Sequence, residues 1–244
     1  MNPTPIAPRI GTLNEKPLHA ALKAWYAEDG DRFEVPVGGF VIDIVRGDLL
    51  IEIQTGSAGA LRRKLAELLK RGPTRLVLPV VEHKTIVTVD ASLQEVSRRP
   101  SPRRGRLLDA FAQLVSLPEL LADPNFSVDV VLVHAEELRR PQASRRTRKG
   151  WEVHERRLVQ VVDHITLDHP GDYVAVLPRD LPEIFTTADL ARMLDRPRWL
   201  AQKIAYVLRE QGTIHPIDRT RDGIRYRCPL RSMLGEHPAD IVKT

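Results

Sequence analysis

Two acids stand in the apolar stretch FVIDIVRGDLLIEIQTG, residues 40–56: Asp43 and Glu52, with Gln54 two residues after the second. Gly47-Asp48 is a two-residue loop of the kind that joins hairpin strands. It predicts a register in which Arg46 opposes Leu49, Val45 opposes Leu50, Ile44 opposes Ile51, Asp43 opposes Glu52 and Val41 opposes Gln54. Alternation then gives Ile42, Ile44, Ile51 and Ile53 one face, and Asp43, Glu52 and Gln54 the other. Directly opposed like charges destabilise a sheet, and no basic residue adjoins either acid. Three resolutions are open. One carboxyl is protonated by its neighbour, as in paired-acid sites. A hard divalent cation such as Mg²⁺ bridges the two and keeps waters for reaction. Or the face is solvated and both acids point to water. Paired-carboxylate glycoside hydrolysis is disfavoured: the expected separation of ~5 Å suits a retaining mechanism, but a chain with 5% aromatic residues has few rings to line a sugar site.

The elements that must position these residues read as an α/β arrangement. Asn14 is an N-cap and Pro17 a first-turn proline for a helix over 18–28, with Leu18, Leu22 and Trp25 on its buried stripe. Glu15, three before Leu18 and seven before Leu22, shares that stripe. Strands are predicted over 33–37, 40–45 and 49–54. An amphipathic helix from Leu61 to about Arg71 carries Lys64 near the edge of its leucine stripe, where an ordinary surface lysine is the simpler reading. Strands over 75–81, 84–89 and 125–135 follow, with a proline-broken basic loop at 98–106 and one or two short helices over 107–121. The stretch 151–167 fits strand or helix. Thr186-x-x-Asp189 opens a short helix in the manner of a capping box. A longer helix runs over 198–211 to a Gly212 stop, and two short strands follow, over 213–218 and 224–228.

Composition bounds the rest. The 244 residues are 42% hydrophobic and 28% charged, enough for one large or two modest packed units. Net charge is +5 and the isoelectric point lies near 9.5. All but eight of the basic residues are arginine, which favours planar bidentate partners such as phosphate. Cys228 is the single cysteine, which excludes a disulfide framework and a thiolate metal cluster. The eight histidines show no metal-ligand spacing along the chain. No apolar run approaches the ~20 residues of a spanning helix. The expectation is a cytoplasmic protein without a membrane partner, with a homodimer as an open possibility.

Asp43-x8-Glu52-x-Gln54, on a hairpin after a helix bearing Glu15 and before a helix and a strand, resembles the PD-(D/E)xK nuclease superfamily over about residues 10–135. The resemblance implies a restriction-endonuclease-like αβββαβ core with a mixed central sheet. It implies that Asp43, Glu52 and the backbone carbonyl of Ile53 hold Mg²⁺ or Mn²⁺, that Glu15 is an accessory acid, and that the activity is hydrolysis of phosphodiester bonds. Gln54 departs from the pattern, which has lysine there. Glutamine can hydrogen-bond an attacking water but brings no charge and cannot act as a base. Some members carry glutamine at this place and others move the lysine to the next helix, where Lys64 lies. The alternative is a DNA-binding or regulatory protein that keeps the fold as a scaffold.

DNA is the expected partner. Arginine-rich stretches at 98–106 and 139–149 supply Arg103, Arg104, Arg145, Arg146 and Arg148, each able to neutralise a phosphate. The second stretch is also the predicted linker, at 139–150, between a nuclease-like unit (1–138) and a C-terminal unit (151–244). Residues of about 180–230 have the layout of a winged helix-turn-helix. There Arg196, Arg198 and Gln202 lie at the start of the longer helix, and Arg221 lies in the wing.

Overall fold

A computed structural model describes residues 16–141, 150–221 and 223–229. Asn14, Glu15, Arg145, Arg146 and Arg148 therefore lie outside the described residues. Helix α1 (Pro17–Tyr26) is followed by β1 (Arg32–Val37), β2 (Phe40–Arg46), β3 (Leu49–Ile53), a 3-10 turn at Ala58–Leu61 and α2 (Arg62–Leu69). Next come β4 (Thr74–Val89), β5 (Glu95–Pro100), a 3-10 turn at Leu107–Ala110, α3 (Phe111–Leu114), β6 (Phe126–Pro141) and β7 (Trp151–Leu167). The remaining described elements are α4 (Pro170–Ala175), β8 (Ile184–Thr186), α5 (Thr187–Met193), α6 (Arg198–Glu210), β9 (His215–Thr220) and β10 (Gly223–Arg227). Among the described residues no helix is long and apolar enough to cross a membrane.

The first seven strands form one mixed sheet in the order β1-β2-β3-β4-β6-β7, with β5 pairing to β4. β1, β2 and β3 are antiparallel neighbours; β3, β4 and β6 run parallel; β7 returns antiparallel along β6. The central strands are buried on both faces, which is why they read as continuous apolar runs. Along β4 and β6, Leu76, Leu78, Val128, Val130 and Leu132 face the core that holds α2 and the 107–121 segment. Val77, Val131 and Val133 face the opposite side, where Leu18 and Leu22 of α1 pack with Ile44, Ile51 and Ile53.

Several expectations change here. The hairpin turn is where it was expected, with Gly47 at φ +56° and the pairs Arg46↔Leu49, Val45↔Leu50 and Ile44↔Ile51. The ladder stops there. Ile42 does not join the isoleucine wall; it packs with Val45, Leu50 and Leu68 toward α2. The alternation breaks where Glu34, the β1 residue flanked by the Phe33↔Ile44 and Val35↔Ile42 pairs, takes a left-handed φ of +52°. On α1 the buried set is Leu18, Leu22 and Lys23, whereas Trp25 is 43% exposed against His164 of β7. The basic stretch 98–106 begins as β5 rather than as a loop, because Thr85–Val89 of β4 offers a free edge. The segments 75–81 and 84–89 are one strand.

The largest difference concerns the domain boundary. β7, which the sequence left untyped, pairs with β6 from Val128↔Leu167 to Pro141↔Trp151. Residues 139–141 therefore belong to the end of β6, and 151–167 belong to the first sheet as β7. The C-terminal unit shares its core with that sheet: Leu190, Leu200, Ile204, Leu208 and Tyr226 fall in the same apolar cluster as Leu65, Phe111 and Val130. In that unit Thr186 caps α5, accepting from the Asp189 amide at 3.2 Å while the Thr186 amide donates to Asp189 at 3.0 Å, the expected capping box. α6 follows after a short turn, and β8, β10 and β9 make a three-stranded antiparallel sheet.

Candidate functional site

Asp43 is the first β2 residue beyond the Ile44↔Ile51 pair, while β2 stays paired with β1 out to Phe40. Where the β2–β3 ladder stops, its side chain takes over: the Ile53 amide donates to Asp43 Oδ2 at 2.8 Å, and His19 Nε2 of α1 lies 3.2 Å from the same oxygen. Glu52 sits in β3 between Ile51 and Ile53, which face α1, so it faces α2 together with Leu50. From α2, Lys64 reaches it. The Lys64 ammonium lies 2.6 Å from Glu52 Oε1 and donates to the Val41 carbonyl at 2.5 Å. The site is thus the fork between β2 and β3, approached by α1 on one side and α2 on the other.

The two carboxyls are driven apart. Burial raises both. At Glu52 burial is the largest influence and the Asp43 charge adds to it; Lys64 only partly offsets them, so the carboxyl is pushed from 4.5 up to about 7. At Asp43 burial is outweighed by His19, the Ile53 amide and the Lys64 charge, and the carboxyl stays below its usual value. A proton taken up by the pair therefore rests on Glu52 rather than on Asp43. Glu52 Oε1 is also fully buried. Its close polar neighbour is the Lys64 ammonium, which can donate to it and to the Val41 carbonyl together. Two neighbouring carboxylates are an oxygen-rich donor set of the kind that suits a hard divalent cation.

Lys64 is therefore at the site, with its side chain 16% exposed, and is not the surface lysine that its helix position suggested. Gln54 does not point its amide at the acids: Nε2 donates to the Ser57 carbonyl at 3.0 Å and Oε1 accepts from the Gly56 amide at 3.1 Å. It fastens the loop after β3. His19 and Lys23 escaped the sequence reading. They are spaced i, i+4 on α1 and so share a face, which is the signal that was there to find. Lys23 is fully buried and pairs with Glu34, the residue at the strand irregularity opposite Asp43.

The nominated DNA contacts divide. Arg103 and Arg104 are exposed on the 101–106 loop, where the Arg104 guanidinium folds onto the Ser101 carbonyl. Arg198 and Gln202 are exposed at the start of α6, and Arg221 at the β9–β10 turn. Arg196 is not available in the same way. It is ion-paired with Asp109, tying the α5–α6 turn to the 3-10 turn at 107–110.

A family model described as a domain of unknown function (DUF8091) matches residues 16–168, which runs from α1 to the residue after β7. An uncharacterized protein of Treponema pallidum (strain Nichols) is 31% identical over 185 residues, covering 75% of this chain and 74% of its own. No solved structure matches. The matched span begins at the helix that carries His19 and closes with the strand that completes the sheet, and on that match the chain belongs to the DUF8091 family.

Proposed function

We propose that this chain is a metal-dependent nuclease that hydrolyses phosphodiester bonds in DNA, with a restriction-endonuclease-like core and a C-terminal winged helix-turn-helix. The observation that carries the reading is the buried Asp43–Glu52 pair with its split protonation and the Lys64 ammonium beside it. Groups whose surroundings push their pKa values apart are characteristic of sites that do acid–base or metal chemistry. The order helix, three antiparallel strands, helix, parallel strand supports the core assignment. The capped α5, the turn to α6 and the β9–β10 hairpin support the winged helix.

Asp43, Glu52 and the Ile53 carbonyl would hold Mg²⁺ or Mn²⁺, which when bound polarises a phosphate and lowers the pKa of a water. The chain's own residues set the conditions. His19 and the Ile53 amide orient Asp43 and keep it ionised. Lys64 supplies the positive charge that Gln54 cannot, next to where charge would build up on a phosphate. Arg103, Arg104, Arg198, Gln202 and Arg221 offer exposed groups to the DNA backbone. A second reading, a DNA-binding protein that keeps the fold as a scaffold, draws on Gln54, whose amide is committed to its own loop.

Cleavage of single-stranded, duplex, flapped and mismatched DNA with Mg²⁺ or Mn²⁺ tests the choice. The nuclease reading expects cleavage that falls by about 10²-fold or more in Asp43→Ala and in Lys64→Ala. Salt-dependent DNA binding without cleavage, unaffected by Asp43→Ala, would favour the scaffold.

A further inference from the structure

A second cluster of metal-ligating side chains lies elsewhere on the sheet. Glu82 and His83 are consecutive in β4, and regular alternation would send them to opposite faces. The β4–β6 register prevents this. Val81 pairs with Val133 and His83 with His134, so Glu82 is an extra residue in β4. Bulges are uncommon between parallel strands and are over-represented next to functional sites, where they re-aim a side chain. Here the bulge gathers three donors. His134 Nε2 is 2.8 Å from Glu82 Oε2, His83 Nε2 is 3.9 Å from the same oxygen, and the two imidazole rings are 4.7 Å apart between centroids. One ligand atom from each residue lies within 4.8 Å of the others. Ligand atoms of a tetrahedral zinc stand about 3.4 Å apart for metal–ligand bonds of ~2.1 Å, so modest side-chain rotations close the set.

We propose that Glu82, His83 and His134 form a binding site for a divalent transition metal of the zinc class. Two imidazoles and one carboxylate suit Zn²⁺, Co²⁺ or Ni²⁺ and not Mg²⁺, which prefers oxygen. The exposed side of the cluster, where His83 is 51% exposed, leaves a fourth position for water or an incoming ligand. The site is separate from the fork: β4 pairs with Glu52 at Leu76, and Glu82 lies six residues further along, on the order of 20 Å away. The metal would also brace a docking point. The Val81 and Glu82 carbonyls accept from the Gly105 amide at 3.1 and 3.3 Å, and a Cβ at Gly105 would lie 2.4 Å from the Val81 oxygen. The loop of Arg103 and Arg104 is thus seated on the bulge.

The inference does not depend on nuclease activity, and its test uses metal alone. Tag-free full-length protein is equilibrated with Zn²⁺, dialysed and assayed for bound metal, and Co²⁺ is titrated in parallel while its visible absorption is followed. About one Zn²⁺ per chain is expected, with Co²⁺ bands of tetrahedral intensity. Affinity should fall at least about tenfold in His83→Ala, His134→Ala and Glu82→Gln, and persist in Asp43→Asn and Glu52→Gln. His83→Ala, at the most exposed ligand, keeps the test sound if His134→Ala folds poorly. Equal zinc binding by wild type and His83→Ala, or binding lost in Asp43→Asn and kept in His134→Ala, would overturn the site.

Discussion

At Glu52 the fold works against an ionisation that water would favour. Its carboxyl is held up at about 7 instead of 4.5, so the folded protein keeps a proton that the unfolded chain releases. The unfolded state then binds fewer protons, and stability falls as pH rises from about 4.5 to 7, levelling off above. Asp43 acts in the opposite sense. Its lowered pKa gives stability that is present above the ordinary carboxylate range and lost as the solution turns acid. Glu52→Gln is expected to stabilise the metal-free protein at about pH 8 by about 1–3 kcal/mol and to flatten the falling limb. Thermal melts of both proteins across this range measure it, and a less stable variant at about pH 8 would contradict the account. Under the nuclease proposal the cation competes with the Glu52 proton, so the Mg²⁺ concentration needed for cleavage should rise as the pH falls.

The element that makes the site is the fork, and Asp43 has a structural task in it. Its oxygen stands in for a ladder acceptor to the Ile53 amide. Asp43→Ala leaves a partly buried donor without that partner and should cost about 1–3 kcal/mol. Asp43→Asn keeps an acceptor and should recover most of that in urea unfolding; under the nuclease proposal it should lose cleavage as fully as alanine does. If asparagine and alanine destabilise equally, the carboxylate charge and not the hydrogen bond holds the fork. The capping box is a simpler case. Thr186→Ala should cost about 1 kcal/mol, read by the same unfolding curves.

For the whole molecule, the shared core and the basic surface lead to distinct tests. The sheet and C-terminal unit are joined by apolar packing and by the Arg196–Asp109 pair, whose side chains are 17% and 27% exposed. Arg196→Ala should lower stability by about 1–3 kcal/mol, because Asp109 Oδ1 loses its partner while Oδ2 keeps the Arg106 amide; under the DNA-binding proposal it should change the salt dependence of binding little. Replacing Arg103 and Arg104 by alanine should do the reverse: stability is kept, and the slope of log affinity against log salt falls by about 2. Fluorescence anisotropy on one labelled duplex over a salt series distinguishes them, and a steeper loss from Arg196 than from the loop would reverse the assignment.

Much of the site was legible in the chain because it rests on local rules. The Gly47-Asp48 turn, the strands on either side of it, the helix that bears Lys64 and the Thr186 cap follow from turn chemistry, alternation and capping, which span a few residues. What depended on distant partners was not legible. The ladder ends at Ile44 because Asp43 itself bonds to Ile53, with Glu34 kinked in the strand beside it; no period in 40–54 encodes that. Lys23 is buried because Glu34 meets it across the sheet edge, and Trp25 is displaced toward solvent. The segment 151–167 stays untyped until β7 pairs with β6 and joins the first sheet. Glu82, His83 and His134 converge only because two strands pair with a one-residue bulge. Sequence alone singled out Asp43, Glu52 and Lys64 as candidates. Tertiary pairing decided which of them meet, because register, burial and charge compensation belong to contacts between segments far apart in the chain.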